Sequence, residues 1–473
     1  MVFSSVSFLL FFLPCLLLVY FIVPQRLREL RNFVLLAFSL VFYAFGGVRY
    51  LALLLASVLI NYLCGLLAAD GHSPRTRKCA VALASVLGLG LLGWFKYAGF
   101  FASTANSLGL PIPVPQIVLP VGISFFTFQG LSYVIDVARG DAPCQRSLLR
   151  VALYVALFPQ LVAGPIVRYT TVAREIGERQ ESVTEFADGL TRFFFGFAKK
   201  LLLANAMGEA ADAVFSLSPA LLSAGTAWVG AIAYTFQIYF DFSAYSDMAI
   251  GLGRMFGFHF LENFNYPYIA ASVTEFWRRW HISLSSWFRD YVYIPLGGSR
   301  RGTAAQIRNL TVVWLLTGLW HGASWNFVAW GAWFCLLLIG EKFLWRGLLE
   351  RTPRPLRHVY AMLAVVISWV FFRAPTLSAA AAYLRVMFTG GASTAAQGAA
   401  VFYLRRYLPE FLLCALACLP LRDLLRLRLE GDGSPAAQTA LLLAPKLIGL
   451  ALFALSYMKL VSGSFNPFIY YQF

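Results

Sequence analysis

The sequence predicts an all-α, polytopic integral membrane protein whose residues 1–473 form a single membrane-embedded domain. Hydrophobic residues make up 59% of the chain and charged residues only 13%, whereas a soluble domain has roughly a quarter charged residues. Apolar runs recur from one end of the chain to the other, and several are long enough for one or two spans of about 20 residues. We expect about eleven transmembrane helices, with shorter Gly- or Pro-broken runs forming re-entrant or interfacial helices.

The apolar runs place the expected spans along the chain. The clearest runs cover residues 6–23, 32–69, 79–101, 148–167, 226–252, 309–338, 359–372, 411–419 and 440–461. The first run has no basic residue before it and no small-residue cleavage site after it, so we interpret it as a span rather than a signal peptide. Arg26, Arg28 and Arg31 follow it, and the positive-inside rule therefore puts the N-terminus outside and this loop in the cytoplasm.

The excess of basic residues fits contact with membrane lipids better than contact with nucleic acid. The 38 Lys and Arg residues outnumber the 22 Asp and Glu residues, which gives a formal charge of +16. We attribute this excess to loop arginines that meet anionic lipid headgroups. The seven cysteines include no C-x2-C pair and lie mostly in apolar runs, so we expect neither a disulfide framework nor a metal site.

Residues 266–333 differ from the other apolar regions. Ser272-Val273-Thr274-Glu275 fits the capping-box pattern that starts a helix. Aromatic residues then recur at helical spacing, which predicts an interfacial helix that ends at the Pro295-Leu296-Gly297-Gly298 turn. The residues on this stripe are Trp277, Trp280, His281, Leu284, Trp287, Phe288 and Tyr291.

His321 is the strongest candidate for a functional residue. It lies inside an apolar segment between Trp320 and Gly322, and ionisable residues within membrane segments are rare and tend to face cavities. The neighbouring Gly318 and Gly322 would let a substrate or another helix approach the backbone closely. The alternative is a buried neutral histidine that hydrogen-bonds between helices.

A neutral His321 in an apolar wall could act as a base or as a nucleophile. As a base it would take the proton of an attacking hydroxyl, which typically contributes ~10²–10⁴-fold to a rate. As a nucleophile it would carry an acyl group itself. His281 alone is as consistent with packing as with function, but beside His321 it could orient a substrate or polarise an acyl carbonyl. Metal binding is less favoured, because His281 has no Cys or carboxylate at ligand spacing.

Three further polar residues receive structural interpretations. We expect His259 to bond a backbone carbonyl, and Asp241 and Asp247 to form structural hydrogen bonds, with a proton relay as the alternative for the two aspartates. The sequence has neither the G-x-S-x-G pattern of serine hydrolases nor the Walker A pattern of nucleotidases.

Long motifs in this chain resemble those of the membrane-bound O-acyltransferase (MBOAT) family, and within it the bacterial branch that acetylates alginate and cellulose. The motifs are TEFWRRWHISLSSWFRDYVYIPLGG at 274–298 and GLWHG at 318–322, supported by LPVGISFFTFQ at 119–129, FPQLVAGPI at 158–166 and residues 241–251.

The resemblance implies a many-helix funnel that serves as one acyltransferase domain, with His321 as the catalytic histidine and His281 as the family's second polar position. It implies that acetyl passes from a cytoplasmic thioester, acetyl-CoA, across the bacterial inner membrane to a hydroxyl, with no bound cofactor, so that an exported polysaccharide is O-acetylated. The implied partners are periplasmic acetyl-accepting or acetyltransferase proteins and a polysaccharide synthase or export complex. We assign five residues to substrate binding, namely Trp277, Trp280, Asn309, Trp320 and Trp325.

The chain departs from the branch's pattern at one place. The branch commonly continues Trp-Gly-x-x-His-Gly, whereas here Trp330-Gly331-Ala332-Trp333 leads to Phe334-Cys335, which we interpret as a difference in packing or partner docking. Three other functions stay open: a transporter or flippase of a polysaccharide export system, D-alanyl transfer to teichoic acid, and a non-enzymatic scaffold. The sequence has no clear inverted repeats, which counts modestly against transport.

Overall fold

The chain folds into α-helices, as the apolar runs predict. A computed structural model describes residues 1–218, 221–390, 397–463, 465–467 and 469, and all regular structure in these residues is helical. The chain divides into two compact units, Met1–Phe193 with Tyr245–Leu261, and Phe194–Ala244 with Glu262–Phe473. The single domain expected over residues 1–473 stays a prediction.

The helices of the first 198 residues range from one short turn to five turns. They are α1 (Leu13–Ile22), α2 (Arg28–Ala44), α3 (Arg49–Ala68), α4 (Pro74–Leu92), α5 (Ala98–Ser107), α6 (Ile123–Arg139), α7 (Leu148–Ala156), α8 (Phe158–Leu161), α9 (Tyr169–Glu178) and α10 (Val183–Ala198). Two π-helical turns, Phe8–Phe12 and Gly93–Tyr97, adjoin α1 and α4.

The helices after residue 198 include those that carry the two candidate histidines. They are α11 (Asn205–Phe215), α12 (Ala224–Met255), α13 (Val273–Arg279), α14 (Ile282–Phe288), α15 (Thr303–His321), α16 (Trp325–Ile339), α17 (Arg346–Arg351), α18 (Arg354–Arg373), α19 (Leu377–Thr389), α20 (Gln397–Arg406), α21 (Leu408–Ala417), α22 (Leu421–Asp432) and α23 (Pro435–Ser462). Further turns are π-helical at Lys199–Ala204, Arg289–Tyr293 and Gly340–Leu344, and 3-10 at Pro267–Ile269.

Several helices have the length and composition of membrane spans. In the described part of the chain, five are long and apolar enough to cross a membrane: Arg49–Ala68, Pro74–Ser107, Trp325–Leu344, Arg354–Arg373 and Pro435–Ser462. Shorter apolar helices cover Phe8–Ile22, Leu377–Thr389 and Leu408–Ala417. These helices confirm the membrane character that the composition predicts, whereas the count of eleven spans stays a prediction.

Helices α15 and α16 form a hairpin whose backbones meet at two glycines. A Cβ atom on Gly318 would collide with the carbonyl oxygen of Phe327, and one on Gly331 would collide with that of Trp314. Gly318 therefore serves close helix packing, which is one of the two roles expected for it. The hairpin fixes the end of α15, whose last residue is His321.

The aromatic segment that was expected to be one helix is two helices, with the break at His281. Helix α13 ends at Arg279, α14 begins at Ile282, and His281 has a left-handed φ of 44°. An adjacent loop causes this break. The N–H of Ile282 donates to the carbonyl of Asn263 at 3.0 Å, and the N–H of Asn265 donates to the carbonyl of Arg279 at 2.9 Å. These bonds replace helical ones, and the spacing of aromatic residues does not reveal them.

The start of α13 is capped from two directions. Ser272 Oγ accepts from the N–H of Glu275 at 2.9 Å, which confirms the predicted cap. The buried Glu341 carboxylate, which no sequence pattern indicated, accepts from the N–H groups of Val273 at 2.6 Å and Thr274 at 2.8 Å. A carboxylate satisfies free N–H groups at a helix N-terminus and is stabilised by the helix dipole. Glu341 therefore ties α13 to the span that contains α16.

Candidate active site

His321 ends α15 inside a ring of aromatic side chains. It is 5% exposed, and the rings of Trp320, Trp330 and Phe372 lie 4.9, 5.0 and 5.2 Å from its own, centre to centre. All three contacts are edge-to-face. Trp330 comes from α16 and Phe372 from α18, so three helices enclose the imidazole. Electrostatic interactions are stronger in such a water-poor enclosure than at a surface.

His281 reaches the same enclosure from the break between α13 and α14. Its ring centre lies 6.4 Å from that of His321, 5.9 Å from that of Trp320 and 4.7 Å from that of Phe242 on α12. The two histidines singled out in the sequence are therefore neighbours in the fold. The left-handed backbone at His281 is what turns its side chain out of the α13 helical path.

The amide of Asn263 determines which nitrogen of His281 carries the hydrogen. Asn263 Oδ1 accepts from the N–H of Ser283 at 3.2 Å and from the Ser283 hydroxyl at 2.9 Å, which identifies this atom as the oxygen. The same Oδ1 lies 3.2 Å from Nδ1 of His281. Because an amide oxygen only accepts, Nδ1 bears the hydrogen, and Nε2 of the neutral ring bears the lone pair.

Nε2 of His281 is buried and has no hydrogen-bond partner among the described residues. His281 is 0% exposed and lies outside the candidate spans, and burial lowers its pKa to about 3, so the ring is neutral at physiological pH. A neutral ring with its lone pair on Nε2 accepts a hydrogen bond but does not donate one from that atom. The geometry therefore favours orientation of a hydroxyl by His281 over polarisation of a carbonyl.

Three of the five expected substrate-binding residues lie in or next to the enclosure. Trp320 adjoins both histidines. The Trp277 ring lies 5.7 Å from that of Trp330 and is therefore one ring removed from His321. The Trp280 ring lies 5.0 Å from that of Trp369, which lies 6.1 Å from that of Trp330, so Trp280 is two rings removed. All three are buried. The aromatic face of α13 therefore packs inside the protein and forms the outer wall of the enclosure.

The other two expected substrate-binding residues differ from these three in position or in exposure. Asn309 precedes His321 by twelve residues in α15, a distance of about 18 Å along the helix axis. Its amide donates to the carbonyl of Gly298 at 3.0 Å and so holds the turn that follows the aromatic segment. Trp325 begins α16 and is 52% exposed. The length of α15 therefore separates Asn309 from His321, and Trp325 differs from the three buried tryptophans in its exposure.

The two aspartates of α12 form ion pairs, as their structural interpretation predicts. In the second unit, Lys200 Nζ lies 2.6 Å from Asp241 Oδ1, and the N–H of Ile469 donates to Asp241 Oδ2 at 2.8 Å. In the first unit, Arg192 lies 2.8 Å from Asp247. Both partners of the Asp241 pair are almost fully buried. The pair therefore holds the C-terminal segment against α12.

His259 bonds to carboxylates rather than to the backbone carbonyl that was expected. Its Nδ1 lies 2.7 Å from Glu175 and its Nε2 3.3 Å from Glu185, so two glutamates bracket the ring. The expectation was wrong because the residues on α9 and α10 that face His259 are distant in sequence. Within the described ranges, no group of three His, Cys, Asp or Glu side chains has the geometry to hold a metal ion.

The chain departs from the family pattern at Phe334 and Cys335, and both residues are buried. Phe334 is fully buried, with its ring 4.9 Å from that of Trp277 and 5.3 Å from that of Trp330. Cys335 Sγ lies 3.6 Å from the Thr311 hydroxyl. These contacts favour the packing interpretation of the departure over partner docking.

Sequence reasoning missed two residues that shape the site. Asn263 determines which nitrogen of His281 carries the hydrogen. Its only signal in the sequence was its polar side chain within residues 256–268, which are rich in aromatic residues. Phe372, which closes the enclosure, had no signal, because it resembles every other apolar residue of α18.

Comparisons with known proteins agree on one family for this chain. Residues 145–381 match the model of MBOAT, the membrane-bound O-acyltransferase family. The chain is 43% identical to the probable alginate O-acetylase AlgI of Azotobacter vinelandii and 42% identical to that of Pseudomonas putida, each over the full length of both chains. It is 33% identical to the peptidoglycan O-acetyltransferase of Helicobacter pylori, over 82% of this chain and 80% of that one. The chain therefore belongs to the membrane-bound O-acyltransferase family, in the branch of the bacterial alginate O-acetylases.

Proposed function

We propose that this O-acyltransferase moves an acetyl group from cytoplasmic acetyl-CoA across the bacterial inner membrane for O-acetylation of an exported polysaccharide, alginate or cellulose. Relatives named O-acetylases support the choice of acetyl, and those named for alginate support the polysaccharide. The observation that carries the mechanism is that His321 and His281 meet inside one aromatic enclosure. The acetyl group then passes to periplasmic acetyl-accepting or acetyltransferase proteins that work with the polysaccharide synthase or export complex.

His321 acts as the general base of the transfer. It takes the proton of the attacking hydroxyl while that oxygen bonds to the thioester carbonyl carbon, giving a tetrahedral oxyanion. The oxyanion collapses, the C–S bond breaks, and the proton passes from His321 to the departing thiolate. Nε2 of His281 accepts a hydrogen bond from a second hydroxyl of the acceptor, which orients the attacking oxygen. The products are an acetyl ester and free CoA thiol.

The enclosure protects this reaction from water. Because both histidines are nearly or fully buried, the thioester reacts in a site lined by aromatic rings rather than by solvent. Exclusion of water strengthens the interactions of the developing charge and suppresses hydrolysis of the thioester. We expect the purified protein to release little CoA from acetyl-CoA when no acceptor is present.

The proposal is tested by His321→Ala in two assays. The first measures CoA thiol release by proteoliposomes supplied with acetyl-CoA and an acceptor. The second measures ester-bound acetate on polysaccharide secreted by cells that lack their own acetylase. Loss of the base should reduce both by at least ~10²-fold. His358→Ala is the matched control, since His358 Nδ1 contacts the backbone carbonyl of Ala270, at 3.0 Å. A folded His321→Ala protein with an unchanged rate would exclude this site.

The same variants separate the alternatives. A transporter, flippase or scaffold has no covalent step, so His321→Ala would leave its contribution to polysaccharide export unchanged. A D-alanyl transferase would lose activity in His321→Ala but would use a D-alanyl thioester and fail with acetyl-CoA. We expect acetyl-CoA to be consumed by the wild-type protein.

A further inference from the structure

The buried indole N–H groups of this protein fall into two classes. Trp228 and Trp333 donate theirs to the backbone carbonyls of Met387 and Ala364, each at 3.0 Å. The Nε1 atoms of Trp277 and Trp330 are buried and have no hydrogen-bond partner in the part of the chain that the structure describes. A buried donor without a partner destabilises a protein, and native proteins rarely leave one.

Two of the unpartnered N–H groups, those of Trp330 and Trp277, lie at the candidate active site. Trp330 is 1% exposed, and its ring lies 5.0 Å from that of His321 at an interplanar angle of 80°. The Trp277 ring lies 5.7 Å from that of Trp330. Trp333, one turn along α16 from Trp330, has its N–H bonded. One helix therefore carries both a satisfied indole and an unsatisfied one, and the unsatisfied indole adjoins His321.

Acyl transfer requires the kind of group that Trp330 supplies. The oxygen of the thioester carbonyl gains negative charge as the hydroxyl attacks, and donors aimed at this oxygen lower the barrier. His281 does not provide such a donor, because its only N–H, on Nδ1, is directed to Asn263. His321 accepts the proton of the attacking hydroxyl and acts on the other reactant. The enclosure therefore needs a separate hydrogen-bond donor for the oxyanion.

We propose that the indole N–H of Trp330 binds the acyl carbonyl oxygen and stabilises the oxyanion that forms next to His321. This assignment rests on the proposed acyl transfer and adds to it a catalytic residue that touches the reacting oxygen. No bond to Trp330 forms or breaks, since the indole keeps its hydrogen throughout.

The test replaces only the N–H. Trp330→Phe removes the donor and keeps an aromatic ring, and incorporation of 3-benzothienylalanine at position 330 replaces the N–H by sulfur with almost no change of shape. Loss of one oxyanion donor typically lowers kcat by about 10²-fold. We expect this loss in both variants, with the KM for acetyl-CoA within about threefold of the wild-type value because the donor acts mainly on the transition state.

Two comparisons decide the outcome. Trp333→Phe removes a bonded indole N–H from the same helix, and it should leave kcat within about twofold while lowering the melting temperature. If the benzothienyl variant folds and keeps wild-type kcat while His321→Ala is inactive, the role of Trp330 is wrong and the proposed function stands. If His321→Ala is active, the proposed function itself fails. If the benzothienyl variant loses only stability, the N–H serves packing or bonds a structural water, and the inference falls.

Discussion

Each compact unit contains a buried polar cluster, and the two clusters differ in how their polar groups are paired. In the first unit, the Glu181 carboxylate receives hydrogen bonds from Arg28 and Tyr20, and it lies 3.0 Å from Arg31 and 3.6 Å from Arg179. In the second unit, three buried atoms of the enclosure have no hydrogen-bond partner among the described residues, namely Nε2 of His281 and Nε1 of Trp330 and Trp277.

This difference in pairing distinguishes a cluster that stabilises the fold from a cluster that we propose binds substrate. Buried charges are expensive unless they are paired and hydrogen-bonded, and the Glu181 cluster meets that condition within the protein. The donors and acceptor of the enclosure do not meet it within the described residues, and under the proposed function a substrate supplies their partners. Removing a group from the first cluster should therefore cost stability, and removing one from the second should cost rate.

Glu181→Gln should give the largest loss of stability. The change keeps the shape of the side chain but leaves the buried Arg31 and Arg179 without a counter-charge, which typically costs about 3–5 kcal/mol. We expect a lower melting temperature in detergent and an unchanged acetyl-transfer rate per folded molecule. Equal stability with a reduced rate would show that the cluster serves catalysis, and would break the comparison.

Low pH should reduce the stabilisation that the Glu181 cluster contributes in the wild-type protein. Burial alone would raise the pKa of Glu181, but hydrogen bonds from Arg28 and Tyr20 and the charge of Arg179 outweigh it and hold the pKa below its usual value. A carboxylate with a lowered folded-state pKa stabilises the fold above its unfolded-state pKa and loses this contribution as the pH falls through the folded-state value. The difference in stability between wild type and Glu181→Gln should therefore shrink at acidic pH.

Asn263 variants should have a smaller effect that appears in the rate. Asn263→Ala removes the acceptor for Nδ1 of His281, and one hydrogen bond of about 1.4 kcal/mol corresponds to a tenfold lower kcat. Asn263→Asp keeps an acceptor but adds a negative charge, which should raise the pKa of His281 from about 3 and convert Nε2 from acceptor to donor as the pH falls. The acidic limb of the pH–rate profile should then move to higher pH. A profile identical to wild type would limit Asn263 to a purely structural role.

The sequence predicted the features of this site that depend on local pattern. The Ser272 cap, the apolar spans and the placement of His321 in a membrane-like segment follow from spacing and composition within about 20 residues. The break at His281 did not follow, because the groups that make it come from Asn263 and Asn265 in a separate loop. The distinction between Trp330 and Trp333 is likewise invisible in sequence, since it depends on whether a carbonyl such as that of Ala364 lies within reach of the indole.

Glu178→Gln should give the smallest loss of stability, and it is the solvent-exposed control for Glu181→Gln. Glu178 and Arg174 form an i,i+4 pair on α9 with Nε and Oε2 3.0 Å apart, but both side chains are largely exposed to solvent. Exposed pairs of this kind contribute about 0.3–0.5 kcal/mol. The substitution is chemically the same as Glu181→Gln and lies only three residues away, so burial is the main variable between the two. We expect a melting temperature close to that of wild type at low salt and indistinguishable from it at high salt, where screening removes the remaining attraction. A loss as large as that of Glu181→Gln would mean that this surface is covered in the folded protein, and the two glutamates would no longer report on burial.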